Sequence, residues 1–291
     1  MNKILEVSNL SKSYKDFSLK GINITLEKGY IMGFIGPNGS GKSTTIKLIM
    51  NLIKKNSGNI KIFGLDNEQN NIAIKERIGF VYDENHFYEE LTVKEMKDVI
   101  SPFYSRWDER IFNKYVKDFE LPLNKEIKHL SKGMKMKFSL AIALSHQAEL
   151  LIMDEPTSGL DPLIRSELLD VLQSLLQDEN KSIFFSTHIT SDLDKIADFI
   201  TLINNGEIIL SKTKDELLEE HCIVKGSKKQ LNNDQGNFIG LKQNDFGFEA
   251  LSKNKKEVIK QFGDSIMIEK PTLEDIMVFY TRRSDHHVSS H

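Results

Sequence analysis

The chain has 291 residues, 39% hydrophobic and 28% charged, which is enough apolar content for one large core and a smaller one, so a main domain with an appendage is expected. Its 39 Lys and Arg against 42 Asp and Glu leave a net charge of −3, which provides no global basic field for nucleic acid or anionic lipid, and nucleic acid is not expected as a partner. One cysteine, Cys222, excludes an internal disulfide and suits a reducing compartment. The start "MNKILEVSNLSKSY" has no apolar segment of signal-peptide length, and no window approaches the roughly 18 apolar residues of a membrane span, so a cytosolic chain that reaches any membrane through a partner is expected.

Taken in order, "KILEVSNLSKSY", "FSLKGINITLEKG" and "YIMGFIG" alternate or run apolar at strand length, with Gly21 and Gly29 as punctuation, and predict a β region at the front. After Gly41 the pattern turns helical in "KSTTIKLIMNLI", returns to strand in "GNIKIFG" and reaches a short apolar strand, "RIGFVYDE". From about residue 88 to 148 the chain reads as an inserted helical subdomain, with helices over "LTVKEMKDVISPFYSR", "DERIFNKYVKDFEL" and "KGMKMKFSLAIALSH". Strands resume at "ELLIMDE", "KSIFFSTH" and "FITLINNGEII", with helices over "PLIRSELLDVLQSLLQDE" and "SDLDKIADF" between them. This alternation favours an α/β fold with a mostly parallel sheet and helical crossovers.

The polar run "KGSKKQLNNDQGNF" marks a joint or an exposed loop, after which "NKKEVIKQF" reads as a helix, "DSIMIE" as a strand and "TLEDIMVFYTRR" as a last helix. In that helix Leu273, Ile276, Met277 and Tyr280 share a face, and Thr272 with Asp275 forms a helix-start box. Residues 1–215 are expected to form the main domain, 216–284 a small α/β accessory domain and 285–291 a flexible tail. The three histidines near the end have no cysteine or carboxylate cluster to complete a metal site.

Chemistry enters at "GPNGSGKST". Gly36, four residues, then Gly41, Lys42 and Ser43 satisfy the G-x-x-x-x-G-K-[ST] pattern of a phosphate loop, in the strand-before, helix-after context that pattern needs. Backbone N–H groups from Gly36, Asn38, Gly39, Ser40, Gly41 and Thr44 would cradle phosphates, Lys42 would reach the β and γ oxygens, and Ser43 would ligate magnesium. "LLIMDEP" is a buried strand ending in two acids: Asp154 would hold the metal and Glu155 would polarise the attacking water. Two acids before a proline are otherwise ordinary turn chemistry, and it is the phosphate loop upstream that gives them this meaning. His188 follows the next strand, at the edge where ligands collect in open α/β sheets, and a γ-phosphate contact is expected of it. A second anion-facing helix start occurs in "LSKGMKMK", residues 130–137, where Ser131 stands as N-cap and Gly133 leaves the backbone bare. One nucleotide does not need both.

Together these residues resemble the nucleotide-binding subunits of ABC transporters. The resemblance runs over about the first 210 positions: the aromatic Tyr14, the phosphate loop, the signature "LSKGM", "LLIMDEP", "SGLD" at 158–161 and His188. It implies an ABC-type phosphate-loop ATPase core with an N-terminal antiparallel β region, ATP and magnesium as ligands, and Tyr14 beside the nucleotide. It also implies a head-to-tail pair of ATPase subunits, self or paralogue, in which Ser131 and the Gly133 backbone contact the γ-phosphate held by the other subunit. The expected location is the cytoplasmic face of the membrane, on a transmembrane permease. Two positions depart from the family pattern. Lys132 and Met134 replace the third and fifth residues of Leu-Ser-Gly-Gly-Gln, and Asp83 stands where the family places a glutamine that meets the metal. The ending "PTLEDIMVFY" resembles those of Gram-positive drug, bacitracin and peptide exporter ATPases, phenol-soluble-modulin-type exporters included, which implies export of a peptide or amphipathic drug. The alternatives are an importer subunit, a soluble ABC ATPase acting on the ribosome or nucleic acid, and a regulatory ATP binder without hydrolysis.

Overall fold

A computed structural model describes residues 3–82, 87–233 and 238–286. The front of the chain alternates apolar and polar residues, and β1 (Lys3–Ser13) and β2 (Ser18–Glu27) pair antiparallel with Val7 opposite Ile24 and Leu10 opposite Ile22. The alternation turns one face of each strand inward. Next come β3 (Ile31–Ile35), α1 (Lys42–Ile49), β4 (Ser57–Ile62) and β5 (Leu65–Asp66). β4 pairs with the other side of β1, giving an antiparallel sheet in the order β2-β1-β4-β5.

β3 belongs to a second sheet and is buried at all five positions, as the apolar run without alternation dictates for a strand covered on both faces. The short α2 (Asn71–Lys75) leads into β6 (Ile78–Val81), and then the helical segment follows. α3 (Val93–Ile100) starts on a capping box between Thr92 and Glu95. A single helix over residues 91–106 was expected. The structure instead ends α3 at Ile100 and continues as a 3-10 turn over Ser101–Phe103, because Pro102 removes a backbone donor there. α4 (Glu109–Asp118) and α5 (Lys132–Ser145) pack on each other, with Phe112, Phe138 and Leu140 buried.

β7 (Leu150–Asp154), α6 (Pro162–Leu175), β8 (Ser182–Thr187), α7 (Thr190–Ile196), β9 (Phe199–Asn204) and β10 (Glu207–Thr213) complete the second sheet, in the order β10-β9-β3-β8-β7-β6. β9, β3, β8, β7 and β6 run parallel, and β10 turns back antiparallel. "FITLINNGEII" is therefore a hairpin rather than one strand. Asn205 and Gly206, at φ 47° and 75°, make its two-residue turn.

After α8 (Lys214–Glu220) a third sheet forms from β11 (Cys222–Gly226), β12 (Gly240–Gln243), β13 (Phe248–Ser252) and β14 (Met267–Glu269), in the order β12-β13-β11-β14. α9 (Lys255–Phe262) covers the face that carries Cys222, Val224 and Ala250. α10 (Leu273–His286) covers the opposite face, where its buried Leu273, Ile276 and Phe279 join Ile223 and Leu251. The Thr272–Asp275 box forms as its spacing requires, Thr272 N donating to Asp275 Oδ2 at 2.9 Å and Asp275 N to Thr272 Oγ1 at 3.1 Å. α10 also packs on α7, whose Leu193 and Ile196 lie in the same apolar cluster. The backbone of α10 continues one residue past Asp285, where the tail was expected to begin, and residues 287–291 lie outside the described ones.

Candidate active site

Three parallel neighbours, β3, β8 and β7, end side by side, and each delivers a different group at its C-terminal end. β3 runs into the phosphate loop, β7 ends at Asp154 and Glu155, and β8 ends just before His188. In an open α/β sheet this is where ligand-binding loops gather. A cleft of about 650 Å³ opens there, lined by Asp16, Phe17, Asn38, Gly39, Gly41, Lys42, Ser43, Thr44, Glu155, Ser158 and His188.

The loop is shaped by its glycines and its own hydrogen bonds. Gly41, the N-cap of α1, sits at φ 113°, and a Cβ there would stand 2.6 Å from Leu19 Cδ2 and 2.9 Å from Phe17 Cζ. Only glycine meets both the angle and the close approach. Its carbonyl accepts from the Thr45 N–H and hydroxyl, each at 2.9 Å, which starts α1 directly behind the loop. Ser40 is 2% exposed, and its Oγ has no hydrogen-bond partner among the described residues. Such a buried, unpaired hydroxyl is the kind of group that a ligand satisfies.

Lys42 is 6% exposed, and its ammonium donates to Gly36 O at 2.8 Å and to Pro37 O at 3.3 Å. It also stands 3.3 Å from Glu155 Oε1. Glu155 Oε2 accepts from His188 twice, from its backbone N–H at 3.2 Å and through Nδ1 at 2.8 Å. Lys42, Glu155 and His188 thus form one connected chain across the cleft. Glu155 has φ 49°, the left-handed region, and its N–H donates to Ser186 O at 2.9 Å. A non-glycine residue held there stores about 1–3 kcal/mol of strain, the sort of strain that concentrates at functional sites. Asp154 is 3% exposed with its Oδ1 unpartnered among the described residues. Burial pushes its carboxyl pKa up, against the hydroxyls of Ser43 and Ser186 and the Lys42 ammonium, which pull it down.

The sequence-predicted set is not all in one place. Gly36, at the end of β3, and Asn38 to Thr44, with Asp154, Glu155 and His188, converge as described. Ser131 and Gly133 are not among the residues lining this cleft. Ser131 Oγ caps α5 by accepting from Met134 N at 3.2 Å. A Cβ on Gly133 would point at its own chain's α6, 2.8 Å from Ile164 Cγ2. Tyr14 also stands apart, 48% exposed, with the Lys12 ammonium 5.3 Å from its ring centroid. The turn in which Tyr14 N donates to Phe17 O at 2.8 Å brings Asp16 and Phe17 to the cleft instead. The residues missed from the sequence are Asp16 and Phe17, while Ser158 was named only within "SGLD" and given no role; Phe17 was visible only as one more apolar residue just before β2. Asp83 lies outside the described residues.

A model of the ABC transporter family matches residues 19–158. The chain is 31% identical over 268 residues to the bacitracin transport ATP-binding protein BcrA of Bacillus licheniformis, spanning 90% of this chain and 86% of that one. It is 36% identical over 221 residues to the lantibiotic transport ATP-binding protein SrtF of Streptococcus pyogenes, spanning 75% of this chain and 95% of that one. A solved ATP-binding subunit of an ABC transporter superposes with a TM-score of 0.68 at 29% identity, over 74% of this chain and 92% of that one. The chain belongs to the ABC transporter family, as an ATP-binding subunit that hydrolyses ATP. Its likeness to transport ATP-binding proteins favours the transport reading over a soluble factor acting on the ribosome or nucleic acid.

Proposed function

We propose that this chain powers export of a peptide or amphipathic drug through a separate transmembrane permease, docked on the cytoplasmic face of the membrane. The names of its relatives support the substrate class: one is a bacitracin and another a lantibiotic transport ATP-binding protein. No helix among the described residues is long and apolar enough to cross a membrane, which is in keeping with a separate membrane subunit.

One observation carries the mechanism: the connected Lys42–Glu155–His188 chain beside the phosphate loop. Lys42 holds the β and γ phosphates, and the backbone of the loop from Gly36 to Thr44 wraps them. Glu155 accepts the proton of the attacking water, and His188 holds Glu155 and faces the γ-phosphate. Ser43 and Asp154 would hold magnesium, and Asp83, which lies outside the described residues, is a further candidate ligand by its place in the sequence. The fit is chemical: Asp154 has a buried oxygen with no partner among the described residues, and a carboxylate with a hydroxyl is the donor set a hard cation takes. When bound, magnesium neutralises charge on the β and γ oxygens.

Ser131 and Gly133 act on the nucleotide of a second ATPase subunit, self or paralogue, arranged head to tail. Their absence from this chain's own cleft lining is what that arrangement needs. The test is Glu155→Gln in the full chain. ATP binding should persist, hydrolysis should fall by about 100-fold or more, in the range of losing a general base, and gel filtration with ATP should shift to a dimer. Near-wild-type turnover in that variant sinks the assignment of Glu155; a monomer at saturating ATP sinks the head-to-tail pair.

A further inference from the structure

Behind the cleft, a buried carboxylate joins three segments that the site depends on. Asp192, on the first turn of α7, is 1% exposed. Its Oδ2 accepts from Thr157 Oγ1 at 2.6 Å, and Thr157, itself 1% exposed, lies two residues beyond Glu155. Its Oδ1 accepts from Arg165 Nε at 2.5 Å, and Arg165 Nη2 donates to Ser191 Oγ at 2.8 Å. Arg165 is in the first turn of α6, next to Ile164, which sits against Gly133 of α5. Asp192 lies four residues past His188.

Both carboxylate oxygens are therefore spent on holding other elements, and none of these groups lines the cleft. Glu155 needs such support. It sits in a left-handed conformation that the chain does not favour, and its side chain must meet both Lys42 and His188. Thr157 is tied to Asp192 and His188 leads into α7, so the one carboxylate anchors both ends of the Glu155–His188 contact. Breaking a buried, hydrogen-bonded ion pair leaves an uncompensated charge and lets its neighbours shift.

We propose that Asp192 is a positioning residue for hydrolysis. It clamps the Glu155 loop, the start of α6 and the segment that follows His188 into the one arrangement in which Glu155 and His188 meet. The inference rests on the ATPase reading of Glu155 above, and it concerns the rate of the chemical step, not nucleotide affinity.

The test uses the full chain with ATP and magnesium. Asp192→Asn keeps the shape but faces Arg165 or Thr157 with the wrong hydrogen-bonding group. Its kcat should fall by about ten- to a hundredfold, the scale of a small misplacement at a reacting centre, with KM for ATP and the dissociation constant for ADP within about twofold of wild type. Thr157→Val should act in the same sense, and Thr157→Ser, which restores the hydroxyl, should recover most of that loss. Asp192→Asn added to His188→Ala should slow the enzyme little further, because both act through the same contact. An Asp192→Asn protein with a lowered melting temperature but an unchanged kcat overturns the proposal, as does a kcat loss matched by the same rise in KM, or full additivity with His188→Ala. If Asp192→Asn does not fold, the Thr157→Val and Thr157→Ser pair decides: equal rates in the two overturn the proposal. Glu155→Gln in the same assay separates the two levels. Loss there without loss in Asp192→Asn removes the clamp alone, whereas full turnover in Glu155→Gln removes the site reading and the clamp with it.

Discussion

Lys42 is the residue on which binding and chemistry meet. Its ammonium is almost fully buried, donates to the Gly36 carbonyl, and is ion-paired to the carboxylate assigned to the attacking water. Lys42→Ala removes a charge-assisted contact to phosphate, which typically contributes about 1.5–3 kcal/mol, and it takes the ion pair from Glu155 Oε1, leaving that carboxylate held by His188 alone. Isothermal titration should then show ATP affinity reduced by about 10- to 150-fold, converted at 1.4 kcal/mol per decade. Unchanged affinity would remove Lys42 from the phosphate site. At this scale the sequence was most readable where a short motif fixes both residue type and spacing, as in residues 36–44 and 154–155. It was least readable at Phe17. That ring reaches the cleft through a turn starting at Tyr14, and a turn's direction depends on which carbonyl its N–H finds. Tyr14, the aromatic the family pattern points to, is instead half exposed with a lysine near its ring.

The packing of α5 on α6 explains why position 133 has no side chain. A Cβ there would press Ile164 Cγ2 from 2.8 Å, closer than side-chain atoms sit without something moving. Gly133→Ala should therefore destabilise the fold by about 1–3 kcal/mol through overpacking, despite alanine's better helix propensity. Ile164→Ala, which removes the pressed Cγ2, should make Gly133→Ala less costly in the double variant than in the wild-type background. Equal chemical-denaturation midpoints for wild type and Gly133→Ala would show that α6 gives way freely. Elements were legible where periodicity runs long, as in α5, α6 and the all-buried β3, β7 and β8. The elements missed are short. β11, β12 and β13 have four or five residues each, are set in polar sequence, and are made strands by pairing with one another rather than by local pattern. The β9–β10 turn was present in the letters as Asn-Gly, but the apolar run across it read as continuous.

Across the molecule, the largest apolar cluster does not stop where the ATPase sheet ends. Leu193 and Ile196 of α7 share it with Leu273, Ile276 and Phe279 of α10, so the helix that begins just after His188 is covered by the last helix of the chain. Ile276→Ala, at a fully buried position, should cost about 2–5 kcal/mol. Hydrogen exchange should quicken along Thr190–Ile196 as well as in α10, while α1 behind the phosphate loop keeps its protection. Faster exchange confined to α10 would mean that the two helices open independently. The coupling also bears on how the protein is made. Synthesis runs from the N-terminus, and the 286 − 213 = 73 residues from Lys214 to the end of α10 take about 4–15 s at about 5–20 residues per second. During those seconds the growing chain already holds a finished phosphate loop, yet its α7 lacks the helix that covers it. The order of synthesis therefore sets the phosphate loop before the cover on α7, and the Ile276→Ala protein, with that cover loosened, is a stand-in for the stage between them.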